Sequence, residues 1–193
     1  MKIGITGGIG SGKSYVCNIL AQQGIRVYDC DTEARRLMNS SDDVRLQLCR
    51  LIGPEVYSDD GTLNKTVMTQ YILASSHNVQ AVNSIVHPVV ARDFEQSGSN
   101  WMECAILYES GFETLVDKVV AVTAPLETRI SRIISRNGID RQQALEWISR
   151  QWPQEEVERR ADFIIVNDGQ QPLQPQIENI LQVITPTDAP SVS

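Results

Sequence analysis

The run Gly7-Gly8-Ile9-Gly10-Ser11-Gly12-Lys13-Ser14 fits the pattern glycine, four residues, glycine-lysine-serine. Glycines let a backbone turn tightly with several N–H groups facing one point, and those dipoles together bind phosphate oxygens. In such a loop Gly8, Ile9, Gly10, Ser11 and Gly12 line the phosphates. Lys13 reaches the β- and γ-phosphates, and the Ser14 hydroxyl is placed for Mg²⁺. The flanks separate this from a glycine-rich turn that binds nothing. Residues 2–6 can form a short buried strand, and residues 13–23 carry Val16, Ile19 and Leu20 at helical spacing.

At 193 residues the chain suits one domain. No apolar run approaches the ~20 residues of a membrane-spanning helix, and Ile3 and Ile5 lead into glycines rather than forming a signal peptide, so the expected location is the cytoplasm. Cys17, Cys30, Cys49 and Cys104 lack metal-ligand or disulfide spacing. A net charge of −7 and a pI near 4.8 argue against broad binding to nucleic acid or anionic membrane. Against this acidic background Arg129, Arg132, Arg136, Arg141, Arg150, Arg159 and Arg160 form a local basic patch.

After the first helix, residues 24–29 read as a turn into a second strand that delivers Asp29 and Asp31 to its carboxyl end, where open α/β sheets gather ligands. Asp31 also suits the N-cap of a helix starting near Thr32. Residues 32–96 read as helices with short breaks, the last broken or restarted at Pro88. Taken alone, His87 suits a helix end or core as well as a site. Residues 102–108 form a third strand candidate ending in Glu109, which suits Mg²⁺, an acceptor group or plain solvent. Residues 117–123 form a fourth. Residues 126–137 and 140–152 form a helical hairpin bearing the arginines, read as a triphosphate clamp. Residues 161–167 form a fifth strand ending near Asn167, and a last helix precedes a tail, 186–193, expected to be disordered.

These elements imply an α/β P-loop NTPase fold: a five-stranded parallel sheet with helices on both faces. It is expected as one domain over 1–193, with a helical acceptor-binding insertion at about 32–100 and a helical lid at about 126–160. Such a loop serves kinases and GTPases alike. A GTPase reads guanine with Asn-Lys-x-Asp after a late strand, whereas Asn64-Lys65 here precedes Thr66-Val67 ahead of the third strand. Phosphoryl transfer to a hydroxyl fits better. A kinase for some other small acceptor and a non-catalytic nucleotide-binding protein are the competing readings.

Further motifs make the comparison specific. Ile5 to Ser14, Asp29-Cys30-Asp31, Ala34-Arg35, Asp60-Gly61-Thr62-Leu63-Asn64, His87-Pro88 and Leu107-Tyr108-Glu109-Ser110-Gly111 occur in order. Arg132, Arg136-Asn137-Gly138, Gln151, Ala161-Asp162 and Asn167-Asp168-Gly169 follow. This set resembles the dephospho-coenzyme A kinase family, departing at Ala105-Ile106 where that family usually has Pro-Leu. The resemblance implies transfer of the ATP γ-phosphate, with Mg²⁺, to the ribose 3′-hydroxyl of dephospho-coenzyme A, the last step of coenzyme A synthesis. It implies Asp31, Lys13 and Arg136 as catalytic residues. Tyr15, Arg136 and Asn167 join Gly8 to Ser14 in binding ATP; Asp31, Arg35, His87 and Glu109 bind the acceptor; Ser14 holds the metal. No nucleic-acid or membrane partner is expected, and a monomer is favoured.

Overall fold

Strand β1 (Ile3–Thr6) is buried along its whole length, which accounts for its apolar composition. The computed structural model describes residues 1–184, and the tail at 186–193 lies outside them. Beside β1 lie β3 (Trp101–Glu103) and β4 (Lys118–Thr123). With β2 (Val27–Asp29) and β5 (Phe163–Val166) they make a five-stranded sheet in the order β2-β3-β1-β4-β5. The pairings of β1 with β3, β1 with β4 and β4 with β5 are parallel, with Ile5 opposite both Glu103 and Val120. Helices α1 (Lys13–Gln22) and α9 (Leu173–Ile184) contribute Val16, Leu20, Ile177 and Ile180 to a core shared with Ile3, Ile5, Val122 and Ile165.

The chain divides into two compact units. One comprises Met1–Val27 and the described residues from Asn100 onward; the other is Tyr28–Ser99. The second unit is helical: α2 (Cys30–Ser40), α3 (Asp42–Ile52), α4 (Lys65–Ala74) and α5 (Ser76–Gln96). Its centre is α5, packed against α2, α3 and α4. Ser41, Asn64 and Ser75 cap α3, α4 and α5 through side-chain oxygens that accept backbone N–H bonds. In the first unit, α6 (Leu126–Asn137) and α7 (Arg141–Ser149) share a small apolar cluster of Ile130, Ile133 and Ala144.

Four local expectations change. Helix α2 starts at Cys30, and Asp29 is its cap, accepting from the N–H groups of Asp31 and Thr32 at 3.0 Å each. Asp31 therefore sits inside the first turn with its carboxylate uncommitted. Helix α5 runs through Pro88 without a break; Val82, Val86, Val90 and Phe94 keep its buried face continuous on both sides of the proline. Strand β3 ends at Glu103. Beyond it Ser110, Gly111 and Phe112 donate to the carbonyls of Ile106, Tyr108 and Leu107, so the apolar run is buried as turns instead of a ladder. Finally, the arginine-bearing segment holds a third helix, α8 (Gln154–Arg160), entered at Pro153 with Glu155 and Glu156 in its first turn and Arg159 and Arg160 in its last.

Candidate active site

The phosphate loop leaves β1 at Gly7 and enters α1 through Gly12. Gly7 has φ +138°, and a β-carbon there would lie 2.1 Å from the Val122 carbonyl oxygen on the neighbouring strand. Gly12 has φ +95°, and its β-carbon would lie 2.1 Å from Asn167 Nδ2. Side chains are excluded at both ends, so the loop can wrap closely between β4 and the end of β5. Lys13 folds back over it: Nζ donates to the Gly7 carbonyl at 2.9 Å and lies 3.7 Å from Glu103 Oε1. Among the described residues the N–H groups of Gly10, Gly12, Lys13 and Ser14 have no acceptor. Four open donors beside an ammonium group, at the start of a helix, make an anion cradle.

The outward side of the loop is tied down. Arg129 Nε donates to the Ile9 carbonyl at 2.9 Å, while Arg132 Nη1 donates to the carbonyls of Gly10 at 3.3 Å and Ser11 at 3.2 Å. Arg132 Nη2 reaches both the backbone and side-chain oxygens of Asn167, whose Nδ2 donates to the Ser11 carbonyl at 2.9 Å. The Ile9 N–H donates to Gln151 Oε1 at 2.7 Å. With the carbonyls of Ile9, Gly10 and Ser11 engaged outward, the loop presents donors inward.

Asn167 thus hydrogen-bonds to the phosphate loop and to Arg132. Ser14 and Tyr15 lie exposed in the first turn of α1. Arg136 lies exposed in the last turn of α6, its Nε donating to Asn137 Oδ1 at 3.0 Å; Arg129 and Arg132 are the α6 arginines that touch the loop. Glu109, in the turns after β3, accepts the Trp152 N–H at 3.0 Å. The Trp152 ring stacks on Tyr108 at 5.8 Å with Arg160 over both rings, so this acid is drawn into the turn between α7 and α8.

Glu103 is absent from the residues read off the sequence as a site. Taking the third strand to run on to residue 108 puts Glu109 at its carboxyl end; with β3 ending at 103, Glu103 holds that place. The signal was the acid itself, following Trp101-Met102 in an apolar stretch. The Ser14 hydroxyl and the Glu103 carboxylate are hard oxygen donors of the type Mg²⁺ takes, and the cradle's open N–H groups suit the phosphates that would share it. No cluster of three or more His, Cys, Asp or Glu side chains suited to a metal occurs among the described residues.

In the helical unit Asp31 and Arg35 occupy one face of α2 at i, i+4 spacing, both exposed, and among the described residues neither side chain has a partner. In β2, Tyr28 is buried, and its hydroxyl donates to Asp93 Oδ2 at 2.8 Å. Arg36 grips both oxygens of Asp93 at 2.7 Å. Burial works to raise the Asp93 carboxyl, yet the bonds from Arg36 and Tyr28 hold it below its usual range. His87, half-buried in α5, is pushed below the ordinary imidazole value by burial.

The sheet, the loop and the lysine define a protein of the P-loop NTPase fold, a class that includes kinases and GTPases alike. The family model for dephospho-CoA kinase, CoaE, matches residues 1–172. The dephospho-CoA kinase of Bacteroides fragilis (strain YCH46) is 44% identical over 188 residues, covering 94% of this chain and 91% of that protein. The one from Salinibacter ruber is 37% identical over 176 residues, covering 86% and 88%. The crystal structure of TT1252 from Thermus thermophilus matches with a TM-score of 0.83 at 30% identity over 96% of this chain and 98% of that one. Shikimate kinase from Aquifex aeolicus shares the fold, with a TM-score of 0.51 at 17% identity over 95% and 96%. The chain belongs to the dephospho-CoA kinase family.

Proposed function

We propose that this kinase transfers the γ-phosphoryl group of ATP to the ribose 3′-hydroxyl of dephospho-coenzyme A, giving coenzyme A and ADP as the final step of coenzyme A synthesis. The observation that carries the reading is the set of open N–H groups around Lys13 beside Glu103, together with the family to which the chain belongs. The loop N–H groups and Lys13 hold the polyphosphate and stabilise charge on the group in flight. Ser14 and Glu103 are the residues that would hold Mg²⁺. When bound, Mg²⁺ neutralises phosphate oxygens and orients the chain of phosphates.

Asp31, exposed and free of capping duty, orients the acceptor hydroxyl and accepts its proton. Arg35 and His87 bind the acceptor, and Glu109 helps to position it. Residues 32–100 serve as the acceptor-binding insertion within one kinase domain. The helices of residues 126–160 act as a lid that excludes water, the competing acceptor, and Arg136 meets the transferring phosphate on closure. The protein works as a cytoplasmic monomer; among the described residues no helix is long and apolar enough to cross a membrane.

The test is ADP formation with Mg·ATP and dephospho-coenzyme A, run beside nucleoside monophosphates and a reaction without acceptor. Turnover with dephospho-coenzyme A alone is the expected result. Turnover only with another acceptor would reassign the substrate, and ATP binding without acceptor-dependent turnover would leave a nucleotide-binding protein.

A further inference from the structure

Arg129 is the one charged residue among those buried along α6, 5% exposed, in the helix that leaves β4. Its guanidinium donates from Nε to the Ile9 carbonyl and from Nη1 to Gln154 Oε1 at 3.1 Å, both neutral acceptors. Among the described residues no carboxylate pairs with it; exposed Glu155 acts only at longer range. Burial pushes its pKa down, the direction expected of a cation that the folded chain leaves short of countercharge. A buried cation is costly unless an anion compensates it.

The guanidinium also explains a glycine outside the fixed positions of the motif. Gly8 has an ordinary backbone conformation, yet a β-carbon there would lie 2.2 Å from Arg129 Nη2. At Gly10 a β-carbon would lie 2.7 Å from the Arg129 carbonyl oxygen. Arg129 thus packs along Gly8-Ile9-Gly10, and Gln151 holds the Ile9 N–H from the other edge. Gln151 Nε2 extends this tie to the Ala105 carbonyl at 3.5 Å.

We infer that Arg129 is a positioning residue for nucleotide binding, holding the outer wall of the phosphate loop at Gly8-Ile9-Gly10 and lending it a fixed positive charge that the bound polyphosphate compensates. The inference rests on the reading of the loop as a nucleotide site. It separates Arg129 from the solvated arginines of the same patch: Arg141 pairs with Glu127 and Arg159 with Glu156 on the surface. It also assigns Gly8 a role, since a methyl group there would expel the guanidinium without straining the backbone.

Calorimetric titration with ATP and with AMP, which lacks the two phosphates nearest Lys13, tests it. Failure of the parent protein to bind ATP would overturn the nucleotide-site reading itself. Given that binding, Arg129→Gln keeps a donor for the Ile9 carbonyl but removes the charge. It is expected to weaken ATP binding about tenfold while AMP stays within about twofold. Arg129→Lys retains the charge and is expected to stay within about threefold of the parent for ATP. Gly8→Ala should reproduce the Gln pattern, and the double variant Gly8→Ala/Arg129→Gln should be no weaker than Arg129→Gln alone. ATP binding by Arg129→Gln within twofold of the parent, or an equal loss for AMP, would overturn the inference. Should the Gln variant not fold, Gly8→Ala and Arg129→Lys decide: ATP-selective weakening in the first with little change in the second upholds it, and any other pattern overturns it.

Discussion

Lys13 is held from two sides, by the Gly7 carbonyl and by Glu103, with both charged side chains largely out of water. A phosphate entering the cradle meets a lysine already fixed in place, which is the condition for strong electrostatic stabilisation. Lys13→Met keeps the stem and loses the charge. Steady-state assay should show kcat lowered by about 10² or more, with the circular dichroism spectrum unchanged. Asp31→Asn tests the other half of the reaction: turnover should fall by ~10² or more while ATP affinity stays near that of the parent. A rate within a few-fold of the parent would remove Asp31 from the chemistry. At this scale the sequence is legible wherever a residue type is forced by backbone geometry, as at Gly7 and Gly12. Arg129 and Arg132 are visible only as members of a basic patch, because the loop carbonyls they bind lie more than 100 residues away, which no local pattern encodes.

Helices with an apolar stripe and a capping residue can be read from the sequence, and α3 and α4 follow Ser41 and Asn64 as their patterns require. Helix α8 cannot: its Gln-Glu-Glu-Val-Glu-Arg-Arg sequence buries one residue, Val157, so it has no stripe to find. The apolar run after β3 misleads for the opposite reason. Leu107 and Tyr108 are buried in turns as fully as a strand would bury them, and periodicity does not separate the two. In α5 the buried face outweighs the hydrogen bond that Pro88 forgoes, and it carries His87 to a half-buried position. Because the folded imidazole titrates below its unfolded value, the unfolded chain binds the extra proton first. His87 therefore contributes stability in full above about pH 6.5, and that contribution is lost as pH falls below this value. Denaturant unfolding at pH 7.5 and 5.5 should show a smaller acid-induced loss in His87→Gln than in the parent. An identical loss in both would remove His87 as a source of the pH dependence.

Across the whole molecule, the α/β class and the five strands follow from the alternation of apolar runs with helical stretches. The strand order does not, since β3 lies beside β1 although the helical unit Tyr28–Ser99 intervenes in sequence. That long excursion is legible as a block of helices because its caps and stripes are local. What the block binds is not written in its periodicity, and the acceptor comes from the family to which the chain belongs. The proposed reaction is therefore phosphoryl transfer to one hydroxyl of one acceptor. Phosphorus NMR of a reaction containing the protein, Mg·ATP and dephospho-coenzyme A measures it directly. One new phosphomonoester at the ribose 3′ position, formed in equal amount with ADP, is the expected result. Inorganic phosphate in its place, a phosphate at another position, or no change in the ATP resonances would contradict it.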